Sequence, residues 1–227
     1  VLEKVGTDAT LSPLWQQRTT PTLFVIVVGE TARAANFGLD GYARQTTPQL
    51  AKLDVINYPQ ATSCGTATAT SVPCMFSPMA RQDYKTSQYK ESLLDVVQRA
   101  GVPVLWKDNN SGCKGTCNRV PTEDVSSLKD PRWCHKGECF DEIMIEGLDQ
   151  QLVSHKGDLL LVLHQKGSHG PAYYQRYPKQ FEQFTPVCRT NKLQECSREA
   201  ITNAYDNTLL YTDHVLAELI GLLKQQS

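Results

Sequence analysis

No apolar run in this 227-residue chain is long enough to cross a membrane. The longest, Leu23–Val28, is six residues, against about 20 for a spanning helix. Charge of one sign is also lacking: 23 Lys and Arg stand against 24 Asp and Glu, a net charge of −1. No broad field exists to gather nucleic acid, and a nucleic-acid partner is not expected. The combination of low hydrophobicity and high net charge that marks disorder is missing, with 40% hydrophobic and 21% charged residues. Internal repeats and low-complexity tracts are absent, which excludes solenoids and fibrous folds. No signal peptide opens the chain, and its first residue is Val1 rather than Met, so it reads as starting inside a longer protein.

Eight cysteines are present and fall into four close pairs: Cys64/Cys74, Cys113/Cys117, Cys134/Cys139 and Cys188/Cys196. An even count in tight local pairs reads as a disulfide framework. The rival reading is a four-thiolate zinc site from Cys113-x3-Cys117 and Cys134-x4-Cys139, with His135 nearby. The separations of ten and eight in the other two pairs suit small closed loops better than metal knuckles. Disulfides place the chain in an oxidising compartment: periplasm, cell surface or secretory lumen.

Residues 1–20 are polar and aperiodic, a linker or an arm wrapped on the domain, and a catalytic domain is expected over 21–227. Thr22-Leu-Phe-Val-Ile-Val-Val28 is continuously apolar and β-branched, as a strand buried on both faces should be. Val102–Trp106 and Asp158–Leu163 read as two more such strands, and Asp54–Tyr58 as a short one. A short helix is expected from Thr47-Pro48 to about Leu53, a second over Glu91–Ala100 stopped by Gly101, and a third over Phe140–Ser154. The last covers Ser197–Gln225, with Ile201, Tyr205, Leu209, Thr212, Leu216, Leu219 and Leu223 three or four apart and Ser197 as its cap. Strands alternating with helices predict an α/β fold, a three-layer α/β/α sandwich around a mostly parallel sheet with right-handed crossovers. The segments 107–139 and 170–196 are excursions that need stapling.

In such sheets, sites form beyond the carboxyl ends of the strands. Glu30 follows the first strand, Lys107, Asp108, Asn109 and Asn110 the second, and His164 with Gly167-Ser168-His169-Gly170-Pro171 the third. Carboxylate oxygen and imidazole nitrogen both suit zinc, which can activate a hydroxyl nucleophile. Between Cys64 and Cys74 lie three threonines and a serine, and a stapled loop there would hold one hydroxyl at a helix N-terminus. Backbone N–H groups and the helix dipole favour an anion at that position. Taken alone, His164 reads as a satisfied core histidine, the Tyr173/Tyr174/Tyr177 cluster as packing and Asp206-Asn207 as helix-to-core hydrogen bonding; Arg33, Asp108 and Asn109 stay open.

Five motifs occur in order: Val27-Val-Gly-Glu-Thr-Ala-Arg33, Ser63-Cys-Gly-Thr-Ala-Thr-Ala-Thr-Ser-Val-Pro-Cys74, Leu105-Trp-Lys-Asp-Asn109, His164-Gln-Lys-Gly-Ser-His-Gly-Pro171 and Tyr205-Asp-Asn207. Together they resemble the periplasmic catalytic domain of lipid A phosphoethanolamine transferases, including the mobile colistin-resistance enzymes, within the alkaline phosphatase/sulfatase superfamily. The resemblance runs from about Pro21 to the C-terminus. It implies that Glu30 binds zinc, and that Thr68 is both a zinc ligand and the nucleophile taking phosphoethanolamine from phosphatidylethanolamine. It implies that Lys107 and His169 line the phosphoethanolamine pocket, and that a phosphothreonine intermediate passes the group to a lipid A phosphate. It implies polymyxin resistance, a position on the periplasmic face of the inner membrane, and an N-terminal transmembrane domain absent from this chain. The family's Asp-His-Gly-Glu-Ser type motif, which supplies further zinc ligands, is not found before Ser227, and the fold is expected to be C-terminally truncated. Asp213-His214 lies in mid-helix context and is not read as that pair. The alternatives are a phosphatase-like hydrolase of the same superfamily and a non-catalytic fragment that binds lipid head groups. A sulfatase is disfavoured, because Ser71-Val-Pro-Cys lacks the Arg of the Cys/Ser-x-Pro-x-Arg motif.

Overall fold

The computed structural model describes residues 2–88 and 90–226. Its strands are β1 (Leu23–Val28), β2 (Val104–Asp108), β3 (Thr122–Asp124), β4 (Cys134–His135), β5 (Glu138–Cys139) and β6 (Leu159–His164). Its α-helices are α1 (Pro13–Gln16), α2 (Thr68–Met75), α3 (Leu93–Arg99), α4 (Leu148–Ser154) and α5 (Arg198–Gln226). The chain divides into two compact units: Val1–Val28 with Thr62–Leu128 and Val153–Gln165, and Gly29–Ala61 with Lys129–Leu152 and Lys166–Ser227. Among the described residues, no helix is long and apolar enough to cross a membrane.

The first unit contains a parallel sheet in the order β1-β6-β2-β3. The central strand β6 is buried at all six positions, which is why its sequence is an unbroken apolar run. Register pairs Val28 with His164 and Asp108 with His164, so three strands end level. One face packs Val28, Trp106, Leu160 and Val162 against Val72 and Phe76 from the α2 segment and Leu94 from α3. A capping box starts α3: the Leu94 amide donates to Ser92 Oγ at 3.2 Å, and the Ser92 amide donates to Asp95 Oδ2 at 2.7 Å. The N-terminal segment is tied down here, with Trp15 Nε1 donating to Asp158 Oδ2 at 2.9 Å and Lys90 paired to Glu3 at 2.8 Å.

The second unit is built on α5, 29 residues long, with Ser197 Oγ accepting from the Ala200 amide at 3.1 Å. Its buried face includes the consecutive run Asn203–Asp213. Asp213 accepts from the amides of Gln49 (2.9 Å) and Leu50 (2.8 Å), a structural role consistent with its mid-helix context. Three expected elements differ: in place of the helix from Thr47-Pro48 to about Leu53 there is only a 3-10 turn at Leu50–Lys52. Asp54–Tyr58 forms no strand: Ile56 and Tyr58 are exposed, and the Asn57 amide group donates to Leu39 O and Asp40 Oδ1 instead of a sheet neighbour. Phe140–Ser154 is not one helix. Gly147 at φ 66° separates a 3-10 turn at Asp141–Met144 from α4.

All four cysteine pairs are disulfides: Cys64–Cys74, Cys113–Cys117, Cys134–Cys139 and Cys188–Cys196. The four-thiolate zinc reading therefore fails, because each of its thiolates is consumed in a bond to its neighbour.

Candidate active site

Thr68 is the first residue of α2 and is half-buried. Ala67 precedes it in extended conformation, and its carbonyl accepts from both the Thr70 amide (2.9 Å) and the Ser71 amide (2.9 Å). No side chain caps this end. The Thr68 hydroxyl thus sits where the partial positive charge of the helix is concentrated, and the Cys64–Cys74 bridge closes the loop that carries it.

At the level strand ends of the same unit, Asp108 and His164 stand side by side on β2 and β6. His164 Nδ1 lies 3.0 Å from Asp108 Oδ2, which also accepts from Trp106 Nε1 at 2.8 Å, and Asp108 Oδ1 accepts from the amides of Asn110 (2.8 Å) and Gly112 (3.1 Å). Burial by itself would raise the Asp108 pKa, but the bonds from His164 and Trp106 outweigh it and hold the carboxyl at about 2. Asp108 is therefore a fixed anion that anchors the start of the Cys113–Cys117 excursion. Lys107 alternates to the other face of β2. It is buried, with its ammonium 3.7 Å from Glu123 Oε2. Burial lowers its pKa, and Glu123 partly restores it.

In the second unit, Glu30 is 9% exposed, and its Oε1 accepts from Thr31 Oγ1 at 2.5 Å. Its carbonyl accepts from the Ser168 amide at 3.0 Å. Gly167, at φ 52°, allows that approach: a Cβ there would lie 2.8 Å from the Glu30 carbonyl oxygen. The loop is held from beneath by Asp141, whose two oxygens accept from the amides of Lys166 (2.7 Å) and Gly167 (2.8 Å). His169 is half-buried, with Nδ1 2.8 Å from the Gly170 carbonyl, so that nitrogen carries the proton and Nε2 is left as the basic position. The Arg176 guanidinium fixes the same loop through the His169 carbonyl at 2.6 Å.

The first unit thus holds Thr68, Lys107, Asp108 and His164; the second gathers Glu30 with His169 and its loop. Asp141 is a site-building residue that sequence reasoning passed over, while Ser168 and Tyr205 stood inside the five motifs without a role of their own. Asp141 and Ser168 carry no spacing signal, and Tyr205 occupied a position in the expected apolar stripe of α5. Burial pushes the Tyr205 phenol up to about 12, keeping it a neutral donor.

For zinc, the Glu30 carboxylate is of the right kind: it is buried and already oriented by a hydroxyl, as ligating carboxylates are. The Thr68 oxygen, in the first unit, is separately of a kind that zinc accepts. Among the described residues, no group of three or more His, Cys, Asp or Glu side chains is placed to hold a metal ion. The donors that either unit holds fall short of a four-coordinate shell.

A sulfatase family profile matches residues 22–227. The phosphoethanolamine transferase EptA of Escherichia coli K12 is 51% identical over 226 residues, covering 99% of this chain and 41% of that protein. The phosphatidylethanolamine transferase Mcr-1 of Escherichia coli is 46% identical over 217 residues, covering 91% of this chain and 40% of its own length. The crystal structure of the soluble domain of lipooligosaccharide phosphoethanolamine transferase A from Neisseria meningitidis superposes with a TM-score of 0.88 at 46% identity, covering 96% of this chain and 66% of that one. The chain spans about two fifths of the length of these full-length relatives.

Proposed function

This chain belongs to the sulfatase family, and we propose that it is the Thr68-bearing part of a lipid A phosphoethanolamine transferase. The observation that carries the reading is the 51% identity to EptA across 99% of the chain. The geometry supports it, because the nucleophile candidate heads a helix at which a phosphate is electrostatically favoured.

In the first half-reaction the Thr68 oxygen forms a bond to the phosphorus of phosphatidylethanolamine. The bond from phosphorus to the diacylglycerol oxygen breaks, and the hydroxyl proton leaves Thr68 as the diacylglycerol oxygen gains one. In the second, a lipid A phosphate oxygen attacks the phosphothreonine, and the Thr68 oxygen departs and is reprotonated. The N-terminus of α2 stabilises the charge on the transferring group. Lys107 supplies a compact cation for a phosphate oxygen. His169, with its Nδ1 proton committed to Gly170, offers Nε2 to take or return the proton. Zinc, when bound, would lower the pKa of the hydroxyl, with Glu30 and Thr68 among its donors.

The product carries an added ammonium on lipid A, so polycationic peptides such as polymyxin bind it less strongly. Four disulfides fit an oxidising compartment such as the periplasm, and likeness to an integral membrane phosphoethanolamine transferase supports placing the full-length protein at the periplasmic face of the inner membrane.

Replacing Thr68→Ala in the full-length protein is expected to abolish polymyxin resistance in a growth assay and the added mass on lipid A. Unchanged resistance would remove Thr68 as the nucleophile. Release of free phosphoethanolamine without modified lipid A would reassign the protein as a hydrolase.

A further inference from the structure

Thr31 is a β-branched residue at φ 53°, in the left-handed region that such residues avoid. A conformation of that kind persists only where the surroundings over-determine it. The residue that does so is Tyr205, from the second turn of α5. Its hydroxyl donates to the Thr31 carbonyl at 2.5 Å and accepts from the Arg33 amide at 2.8 Å, gripping the backbone on both sides of residue 32. The turn held in this way directs the Thr31 hydroxyl back onto Glu30 Oε1 at 2.5 Å.

The opposite flank of Glu30 is braced from the same helix. The Ser168 amide donates to the Glu30 carbonyl, and Ser168 Oγ lies 2.6 Å from Thr208 Oγ1, which bonds the Tyr205 carbonyl at 2.6 Å. One buried stretch of α5 therefore controls both sides of a single carboxylate-bearing residue.

We propose that Tyr205, acting through the left-handed Thr31, is a positioning residue that sets the orientation of the Glu30 carboxylate. The inference rests on the reading of Glu30 as a zinc donor. Partners of ligating side chains commonly change metal affinity 10–100-fold when removed. Tyr211 provides an internal control. It is also buried on α5, and its hydroxyl also accepts from a backbone amide, that of Glu142 at 3.2 Å, but it does not touch the Glu30 turn.

The test measures zinc dissociation constants by chelator competition, together with thermal unfolding, in the full-length protein. The variants are Tyr205→Phe, Tyr211→Phe, Thr31→Ala, Thr31→Ser and Glu30→Gln. Tyr205→Phe and Thr31→Ala are expected to weaken zinc about tenfold. Thr31→Ser, which keeps the hydroxyl, restores the affinity, and Tyr211→Phe leaves it unchanged despite a similar fall in Tm. Wild-type affinity in Tyr205→Phe beside a weakened Glu30→Gln overturns the positioning role alone. Wild-type affinity in Glu30→Gln overturns the donor reading, and the inference falls with it.

Discussion

The close approach of Gly167 to Glu30 sets a quantitative expectation for Gly167→Ala. The new Cβ would lie 2.8 Å from the Glu30 carbonyl oxygen and 3.1 Å from both its Cβ and its amide nitrogen. All three atoms belong to one residue whose backbone is already bonded, so none can swing aside as a flexible side chain would. Two costs add. Holding alanine at φ 52° costs about 1–2 kcal/mol, and forcing backbone apart in a packed region costs about 1–3 kcal/mol more. Gly147 isolates the first cost: it has φ 66° and nothing within 4 Å of its would-be Cβ. For a chain of this size each kcal/mol lowers Tm by about 2–4 °C. Gly147→Ala should therefore lose about 2–8 °C and Gly167→Ala, at about 2–5 kcal/mol in all, about 4–20 °C, in thermal unfolding followed by circular dichroism. Activity should separate them further. Displacing Glu30 by a few tenths of an ångström disturbs the site, and misplacements approaching 1 Å can cost about 100-fold in rate. Gly147→Ala should transfer phosphoethanolamine normally. Equal Tm losses and equal activity in the two variants would refute the claim that Gly167 is required by its contact with Glu30.

Two further expectations follow from the first unit. Asp108 has a folded pKa of about 2 against an ordinary value of 3.8, so it contributes about 2 kcal/mol that is present above pH 4 and lost as the pH falls toward 2; urea unfolding should show wild type losing its advantage over Asp108→Asn across that window, and a pH-independent difference would exclude Asp108 as a hydrogen-bonded buried anion. Opening the Cys64–Cys74 bridge by replacing both residues with Ser should cost about 3 kcal/mol for a separation of ten residues and reduce transfer through Thr68; an unchanged urea midpoint would show that the loop is held by packing alone.

What could be read in advance divides along physical lines. β6 was legible because a parallel strand buried on both faces leaves an unbroken apolar run, whereas β1, read the same way, is a strand but lies at the sheet edge with Phe24 61% exposed, so its expected burial on both faces fails. The four cysteine pairs were legible because short separations leave few geometric choices. Asp54–Tyr58 misled because strand composition says nothing about whether a partner strand exists. Phe140–Ser154 misled because its apolar spacing hid what Gly147 at φ 66° does to a helix.

The site residues behave differently. Glu30 and His169 could be singled out as polar groups beyond apolar strands, and Lys107 as the polar residue that ends the apolar run of β2, but their roles came only from the family resemblance. Asp206 and Asn207 were read as helix-to-core hydrogen bonding, which they make, whereas Tyr205 and Thr208 could not be assigned roles, because consecutive residues point around the whole circumference of a helix and only a buried helix uses every direction. Each finds a different partner: Tyr205 the turn after Glu30, Asp206 the side chains of Asn36 and Tyr42, Asn207 the amides of Gln183 and Phe184, and Thr208 the hydroxyl of Ser168. Those partners lie up to 174 residues away in sequence, so no local spacing can announce them. A helix whose buried polar groups each hold a separate loop is costly to alter at any one of them, because the loop loses its anchor and the buried group loses its bond together. The placement of Glu30 is therefore written as much in α5 as in the strand that precedes it.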